Sequence, residues 1–219
     1  MGREPNFQRP WYPTALELVE WLARGQRCRI LDVGGGAAEM AMLLRQKGHW
    51  VELLDIDPDN VARAQALGFV AYRHDCNLPF PDHLVGAYDV ALLLEVIEHV
   101  MNTQVLLQSL WRCLRPEGFL VVTTPNVAHL RWRLRALLGH PPRGEGYHVR
   151  FFTYRVLLRE LRQAGFRVVR EAHATSTFGI NAVRKWLGKP PVRLPLPRML
   201  RGLLVRNFAL VAQKKSGSP

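Results

Sequence analysis

The sequence predicts an α/β fold, a doubly wound and mostly parallel Rossmann-like sheet with helices on both faces. Three observations carry that reading. Short apolar runs recur along the first 125 residues, several ending on glycine or a carboxylate. Amphipathic segments of helical period separate them, and glycine, proline or a capping residue marks most joins. Strands that alternate with helices at this spacing build parallel sheets with right-handed crossovers.

The first element is a helix over residues 13–23 (PTALELVEWLA), its apolar residues at helical spacing. Trp11 and Tyr12 before it read as pocket wall or as packing, with packing preferred. An apolar run over 28–33, broken by Arg29 and Asp32, is the first strand, and it stops at Gly34, Gly35 and Gly36. A helix over 37–47 follows, closed by Gly48, and a second strand over 49–55 ends on Asp55. Pro58 opens the next helix with Asp57 as its cap, and the helix runs on to Gly68. A third strand over 69–73 ends at His74-Asp75-Cys76, and a fourth covers 88–94. Residues 102–114 read as a helix and 118–123 as a fifth strand.

Past Pro125 the pattern loosens. Helices are expected over 126–138 and 153–164, with a breaker-rich loop over 139–146 between them. The last strand candidates are 166–169 and 207–212; the stretch 175–206 is rich in proline, arginine and leucine, and 214–219 reads as a disordered tail.

With 219 residues, nearly half of them apolar, the chain suits one well-buried domain. Its three cysteines are far apart and without a CxxC pair, which argues against a disulfide framework or zinc cluster and for a reducing compartment. Arg3, Glu4 and Pro5 stand where a signal peptide would be apolar, and no run approaches membrane-span length. A soluble, cytoplasmic protein is expected. The net charge of +12 is unevenly placed: residues 1–125 carry a balance of −4 and residues 126–219 one of +16. The second part therefore either faces an anionic partner (phosphate, nucleic acid or a lipid surface) or is an arginine-rich solvated surface.

In open parallel sheets the ligand lies over the carboxyl ends of the central strands. Three features fall there in order: the glycines after strand one, Asp55 after strand two, and Asp75 after strand three. A carboxylate about twenty residues past the glycines is placed to hold a ribose diol. A dinucleotide is the competitor, but its fingerprint needs a third glycine where this sequence has Glu39. A carboxylate at that helix N-terminus disfavours a pyrophosphate.

LDVGGG, LLDIDPDNVARA, HDCNLPFP, YDVALLLEVIEHV and LRPEGFLVVTTPN, in that order, resemble the class I S-adenosylmethionine-dependent methyltransferases. The resemblance covers about residues 28–126 closely, and HVRFFTYRVLLRELRQAGFRVV extends it to about 169. It implies a seven-stranded sheet whose last strand is antiparallel. The whole chain, 1–219, is then one methyltransferase domain: a cofactor-binding core over about 13–125, a basic substrate-side cap and last strands over about 126–206, and the tail.

S-adenosylmethionine (SAM) would lie along Gly34, Gly35 and Gly36, with Asp32 framing its methionine end and Asp55 its ribose. Its adenine would sit near Ile56, Asp75 and Cys76, and Glu95 belongs to the same cofactor-binding set. The product would be S-adenosylhomocysteine. Family members usually carry glycine where this chain has Ala38.

Directly after strand four comes Glu95-Val96-Ile97-Glu98-His99-Val100. Wound as a helix, Glu95, Glu98 and His99 would share one face. His99 and Glu98 are the candidate catalytic residues, His99 as base where the acceptor is a hydroxyl. The run is similar to E-x-x-E-H in ubiquinone-pathway O-methyltransferases and small-RNA terminal 2′-O-methyltransferases, where it is associated with a metal. In the RNA enzymes a later histidine joins, for which His148 is the natural candidate. Capping and framing of the substrate pocket is the preferred reading, a divalent metal the second. Asn126 in TTPN either orients the acceptor or serves as a turn residue.

Arg131 and Arg135, then Arg155, Arg159 and Arg162, fall at helical spacings, and from Arg184 to Arg206 cations interleave with Leu and Trp. That pattern suits a membrane surface or a lipid-linked acceptor, and no recognisable RNA-binding module accompanies it. The expected function is methyl transfer to an oxygen or nitrogen of a small-molecule or lipid/glycan-linked acceptor. The alternatives are an RNA 2′-O-methyltransferase and a non-catalytic SAM-binding protein. Nothing in the sequence specifies an oligomeric state.

Overall fold

A computed structural model describes residues 11–140, 148–172, 174–175, 184, 186–189, 197–215 and 217. The segment with Arg3, Glu4 and Pro5, most of the loop 139–146 and much of 175–206 lie outside the described residues, as does part of the tail.

The chain opens with α1 (Tyr12–Ala23) and then alternates: β1 (Arg29–Val33), α2 (Glu39–Gln46), β2 (Trp50–Asp55), α3 (Pro58–Ala66), β3 (Val70–Arg73). β4 (Tyr88–Leu94), α4 (Thr103–Cys113) and β5 (Leu114–Pro125) follow, then α5 (Leu130–Leu137) and α6 (Tyr154–Gln163). β6 (Phe166–Glu171), the two-residue β7 (Ala174–Thr175), α7 (Arg198–Leu204) and β8 (Val205–Lys214) complete it. Asp57 is the cap the sequence indicates, and Asn102 and Thr153, expected as the first residues of their helices, are caps as well. Asp57 accepts from Asp59 N at 2.9 Å to start α3, Asn102 from Val105 N at 3.3 Å to start α4, and Thr153 from Val156 N at 3.3 Å to start α6.

The strand order is β3-β2-β1-β4-β5-β8-β6, with β7 prolonging the β6 edge along β8. β1 to β5 are mutually parallel, and β8 runs antiparallel between β5 and β6. The expected sheet of seven strands with its last strand antiparallel is thus present. β7 adds a short continuation of the edge, and β5 and β8 run longer than their apolar runs indicated.

Two apolar layers cover the sheet. Ile30, Leu53 and Leu92 face α1, α2 and α3, packing with Leu18, Met40, Leu44 and Val61. Leu31, Leu54 and Leu93 face the other way, onto Leu106, Leu110, Leu157 and Leu161 of α4 and α6. This period-two division is what a strand buried on both faces requires. Cys28, Cys76 and Cys113 are free thiols. No described helix is long and apolar enough to cross a membrane.

The order reverses at β1, whose neighbours are β2 on one side and β4 on the other. The crevice at such a switch point lies beyond the carboxyl ends of the strands. The turns after β1, β2, β3 and β4 therefore meet there.

Candidate functional site

Gly34 N donates to Leu54 O at 2.7 Å, so the turn after β1 starts in register with β2. Gly34 has φ +69°, and a Cβ there would stand 2.4 Å from Val96 Cγ2. Only glycine fits, and the contact brings the turn after β1 against the turn after β4. Gly36, at φ +55°, faces open space: a Cβ would meet nothing within 4 Å. Ala38 is the buried N-cap of α2 at φ +62°. An L-residue in this region costs about 1–2 kcal/mol, which is the physical reason a glycine suits the position better. Helix α2 begins at Glu39 rather than 37 for the same reason, since the backbone is still left-handed at Ala38.

Three carboxylates crowd this turn. Asp32 is almost wholly buried, and its Oδ2 has no hydrogen-bond partner. Burial first, then the charges of Asp55 and Glu39, push its carboxyl up to about 7. Asp55 accepts from Gly36 N through Oδ2 and from Asp57 N through Oδ1, each at 2.9 Å, so it ties the glycine turn to the end of β2. Glu39, also buried, accepts from the Tyr12 hydroxyl at 2.6 Å, which joins α1 to the start of α2.

Asp75 is engaged with its own turn. Its Oδ1 accepts from Asn77 N at 2.9 Å and from Asn77 Nδ2 at 2.8 Å, and these bonds hold its carboxyl below the usual range. Asn77 Oδ1 in turn accepts from Met101 N and Asn102 N, linking the turns after β3 and β4. The Cys76 thiol is pushed up to about 12, by burial and then by Asp75 and Asp55, and stays neutral. Ile56, at the end of β2, is exposed.

The residues after β4 do not wind as expected. Glu95 sits at φ +57°, and helical winding appears only as a short 3-10 turn over Ile97–His99. Glu95 therefore does not share a face with Glu98 and His99. Its Oε2 instead accepts from Asn207 Nδ2 of β8 at 2.9 Å. His148 takes the third place: ligand-type atoms of Glu98, His99 and His148 all lie within 4.8 Å of one another. The two imidazoles pack edge to face with centroids 4.8 Å apart. Glu98 is buried and accepts from Thr124 Oγ1 at 3.0 Å. Its carbonyl accepts from both Val149 N and Arg150 N at 3.0 Å, so the loop bearing His148 is pinned to the Ile97–His99 turn. Arg150 fastens the loop again, donating twice to Met101 O at 3.1 and 2.8 Å. One carboxylate and two imidazoles in this arrangement can hold a borderline divalent cation or move a proton.

Beyond β5, Asn126 is fully buried and serves as a clasp. Its Nδ2 donates to Gly202 O at 3.0 Å and Val205 O at 2.7 Å, and its Oδ1 accepts from Ala128 N at 2.9 Å. It has no donor left for an acceptor molecule; it fixes the junction of α7 and β8 instead. The expected helix over 126–138 is shortened accordingly to Leu130–Leu137.

Four site residues escaped the sequence reading. Tyr12 looked more like packing than pocket wall, Thr124 lies one residue past the expected fifth strand, and Asn207 opens the last apolar run. His129 caps α5, its Nδ1 accepting from Arg131 N at 3.2 Å. Its buried Nε2 has no hydrogen-bond partner, and burial with the charges of Arg206 and Arg131 lowers its basicity.

A family model described as methyltransferase domain matches residues 7–171. The chain is similar to tRNA 5-carboxymethoxyuridine methyltransferase of Escherichia coli K12, 33% identical over 102 residues, or 43% of this chain and 39% of that protein. It is also similar to ubiquinone biosynthesis O-methyltransferase of Azorhizobium caulinodans, 31% identical over 150 residues, or 64% and 59% of the two chains. The matched stretch thus spans between about two fifths and three fifths of these relatives' length. An S-adenosylmethionine-dependent methyltransferase structure from Mesorhizobium loti shares the fold with a TM-score of 0.67 and 17% identity, over 94% of this chain and 99% of that one.

Proposed function

The chain belongs to the methyltransferase domain family, and from that membership we propose that it binds SAM over the turns after β1 and β2 and passes the methyl to an acceptor oxygen or nitrogen held beyond β4 and β5. The observation that carries the reading is the buried, unpartnered Oδ2 of Asp32 in the group formed with Glu39 and Asp55. Negative charge gathered at a helix N-terminus repels a pyrophosphate and attracts a ligand bearing an ammonium and a sulfonium. The open space at Gly36 admits such a ligand against the backbone.

In this reading Asp32 receives the amino-acid ammonium. Asp55 offers the remaining lone pairs of its two oxygens to the ribose hydroxyls while its backbone bonds keep it in place. Ile56 and the neutral Cys76 flank the adenine, with Asp75 at its edge. When bound, SAM supplies a methyl already activated by positive sulfur. The protein's part is alignment and exclusion of water, to which Val96, packed over Gly34, contributes. His99 takes the acceptor proton where one must leave, with the Glu98 carboxylate and the His148 ring close by.

The acceptor class is an oxygen or nitrogen of a small-molecule or lipid- or glycan-linked compound. A second reading has a specific observation behind it: the closeness of Glu98, His99 and His148 favours a divalent cation that orients an acceptor hydroxyl, as RNA 2′-O-methylation would need. Calorimetry with SAM, followed by incubation of extracts with methyl-labelled SAM, tests both. Micromolar SAM binding that Asp55→Ala abolishes, with label transferred to an acceptor, supports the enzyme. Binding without transfer to any acceptor supports a non-catalytic SAM-binding protein. Absence of binding removes all of these readings. Transfer to RNA that stops on chelation selects the second.

A further inference from the structure

Helix α5 reads LRWRLRAL, and none of its residues is buried. At 100° per residue, Leu130, Leu134, Leu137 and Leu138 fall within a face roughly 100° wide. Arg131 and Arg135 border that face on one side and Arg133 on the other, while the half-buried Trp132 points the opposite way. Leu134, Leu137 and Leu138 are 51%, 82% and 75% exposed. An ordinary solvated helix would carry polar residues there, and a core helix would have its leucines covered.

The helix leaves the sheet at the carboxyl end of β5. The bridge between Asn126 and Phe152 brings to that end of β5 a loop with further exposed apolar residues, Val149 and Phe151, and Val149 N bonds Glu98 O, three residues after which Met101 is also exposed. Arg150 lies among them, its guanidinium clamped on Met101 O.

We propose that this edge docks on an anionic lipid bilayer, with the leucine face of α5 lying in the headgroup region, its arginines on lipid phosphates, and the acceptor reaching the site from the membrane. The charge pattern selects that occupant. A leucine stripe bordered by arginines on both sides matches an interface in which acyl chains and phosphates meet within a few ångströms. RNA phosphates would use the arginines but gain nothing from three exposed leucines. No described helix is long enough to span, so the contact is peripheral. The inference rests on methyl transfer beyond β4 and β5 only for the acceptor's route; the docking itself does not depend on it.

The test is co-sedimentation of the full chain with vesicles of phosphatidylcholine alone and of phosphatidylcholine mixed with phosphatidylglycerol, with SAM affinity measured in parallel. Binding to the anionic vesicles at least about tenfold tighter is expected, weakening as salt rises. The double variant Leu137→Asp, Leu138→Asp replaces side chains that belong to neither apolar layer among the described residues. It is expected to lose about tenfold or more in vesicle affinity with SAM affinity unchanged. Arg131→Glu with Arg135→Glu is expected to lose the preference for anionic lipid. Equal binding to both vesicles, or vesicle binding indifferent to the leucine variant, overturns the proposal. So does an RNA affinity that needs the arginines and ignores the leucines. Loss of SAM binding by the parent chain would instead count against the proposed function and leave the vesicle result to stand by itself.

Discussion

SAM affinity should depend on pH through Asp32. A carboxyl held at about 7 in the free protein is mostly protonated at pH 6 and mostly ionised by pH 7.5. The bound ammonium returns it to the ordinary carboxylate range, so binding releases a proton wherever Asp32 still carries one. The apparent dissociation constant is then multiplied by 1 + 10^(7−pH), about 11 at pH 6 and about 1.3 at pH 7.5, an eightfold gain in affinity across that interval. At pH 7.5 an α-amino group with a pKa of about 7.7–8.0 has itself lost roughly a quarter to two fifths of its protons, which trims the gain to about five- to sixfold. Calorimetry in buffers of different ionisation enthalpy should show about 0.9 proton released per SAM at pH 6 and about half a proton at pH 7.

The same group makes an opposite statement about stability. A carboxyl raised from 3.8 to about 7 binds its proton more tightly in the folded chain, so its stabilising contribution is present below pH 3.8 and is lost as pH rises through 7. The full loss is of the order of 4 kcal/mol. Asp32→Asn should therefore melt higher than the parent at pH 7.5 without SAM, bind SAM more weakly, and show a flat affinity profile from pH 6 to 7.5. A parent whose affinity does not change over that interval, or a variant that still releases the proton, would refute the assignment of Asp32 to the ammonium.

Three further outcomes follow from named contacts. Ala38→Gly removes a left-handed L-residue without removing a polar contact, and a gain of about 1 kcal/mol by chemical denaturation is expected, with SAM affinity equal or higher. Asn126→Ala leaves the Gly202 and Val205 carbonyls without their donor and should cost about 2–4 kcal/mol, read as a lower denaturation midpoint. Restoration of SAM affinity at low temperature in that variant would confirm a clasp rather than a binding role. His148→Ala removes one of three potential cation ligands, so any zinc or manganese affinity seen by calorimetry should fall at least about tenfold while SAM affinity holds.

The sheet was legible because the signals that make it are local. Ile30, Leu31 and Val33 form a run that only a doubly covered strand would bury, and glycine, Asp57 and Asn102 mark the joins within a residue or two. The residues proposed to hold the cofactor could be named for the same reason, since they are the first residues past each strand. The geometry past β4 could not. Glu95 was expected beside Glu98 because helical spacing was assumed, and the left-handed turn at Glu95 is imposed by tertiary contacts, Thr123 on its backbone N–H and Asn207 on its carboxylate. His148, which the resemblance to the RNA enzymes had named, reaches Glu98 from fifty residues away through a loop pinned by Glu98's own carbonyl, a pairing no periodicity encodes. Of the two readings of Asn126, the turn role is present in its bond from Ala128 N, whereas its clasp on the carbonyls of Gly202 and Val205 could not be read because they border the stretch with the weakest pattern.

The uneven charge, a balance of −4 before residue 126 and +16 after it, acquires a physical meaning once the edge of the sheet is assembled. Asp32, Glu39 and Asp55 stand at the ends of β1 and β2 and the start of α2, where a cation would bind, whereas Arg131, Arg135 and Arg206 stand past β5, on the proposed acceptor side. In the proposed reaction the acceptor's electron pair forms the bond to the methyl carbon, and the carbon–sulfur pair returns to sulfur. With an anionic oxygen as acceptor, positive sulfur and negative oxygen both become neutral. Charge that disappears along the reaction is favoured by low polarity at the point of transfer and by opposite fixed charges that first draw the two partners together. The apolar side chain of Val96 against the glycine turn contributes to the first, and the division of charge along the chain supplies the second. An acceptor bearing a negative charge near its reacting atom is therefore the one this arrangement serves best. Comparing labelled-methyl transfer to a carboxylate or phosphate-bearing acceptor with transfer to its neutral analogue measures that preference, and a faster neutral analogue would contradict it.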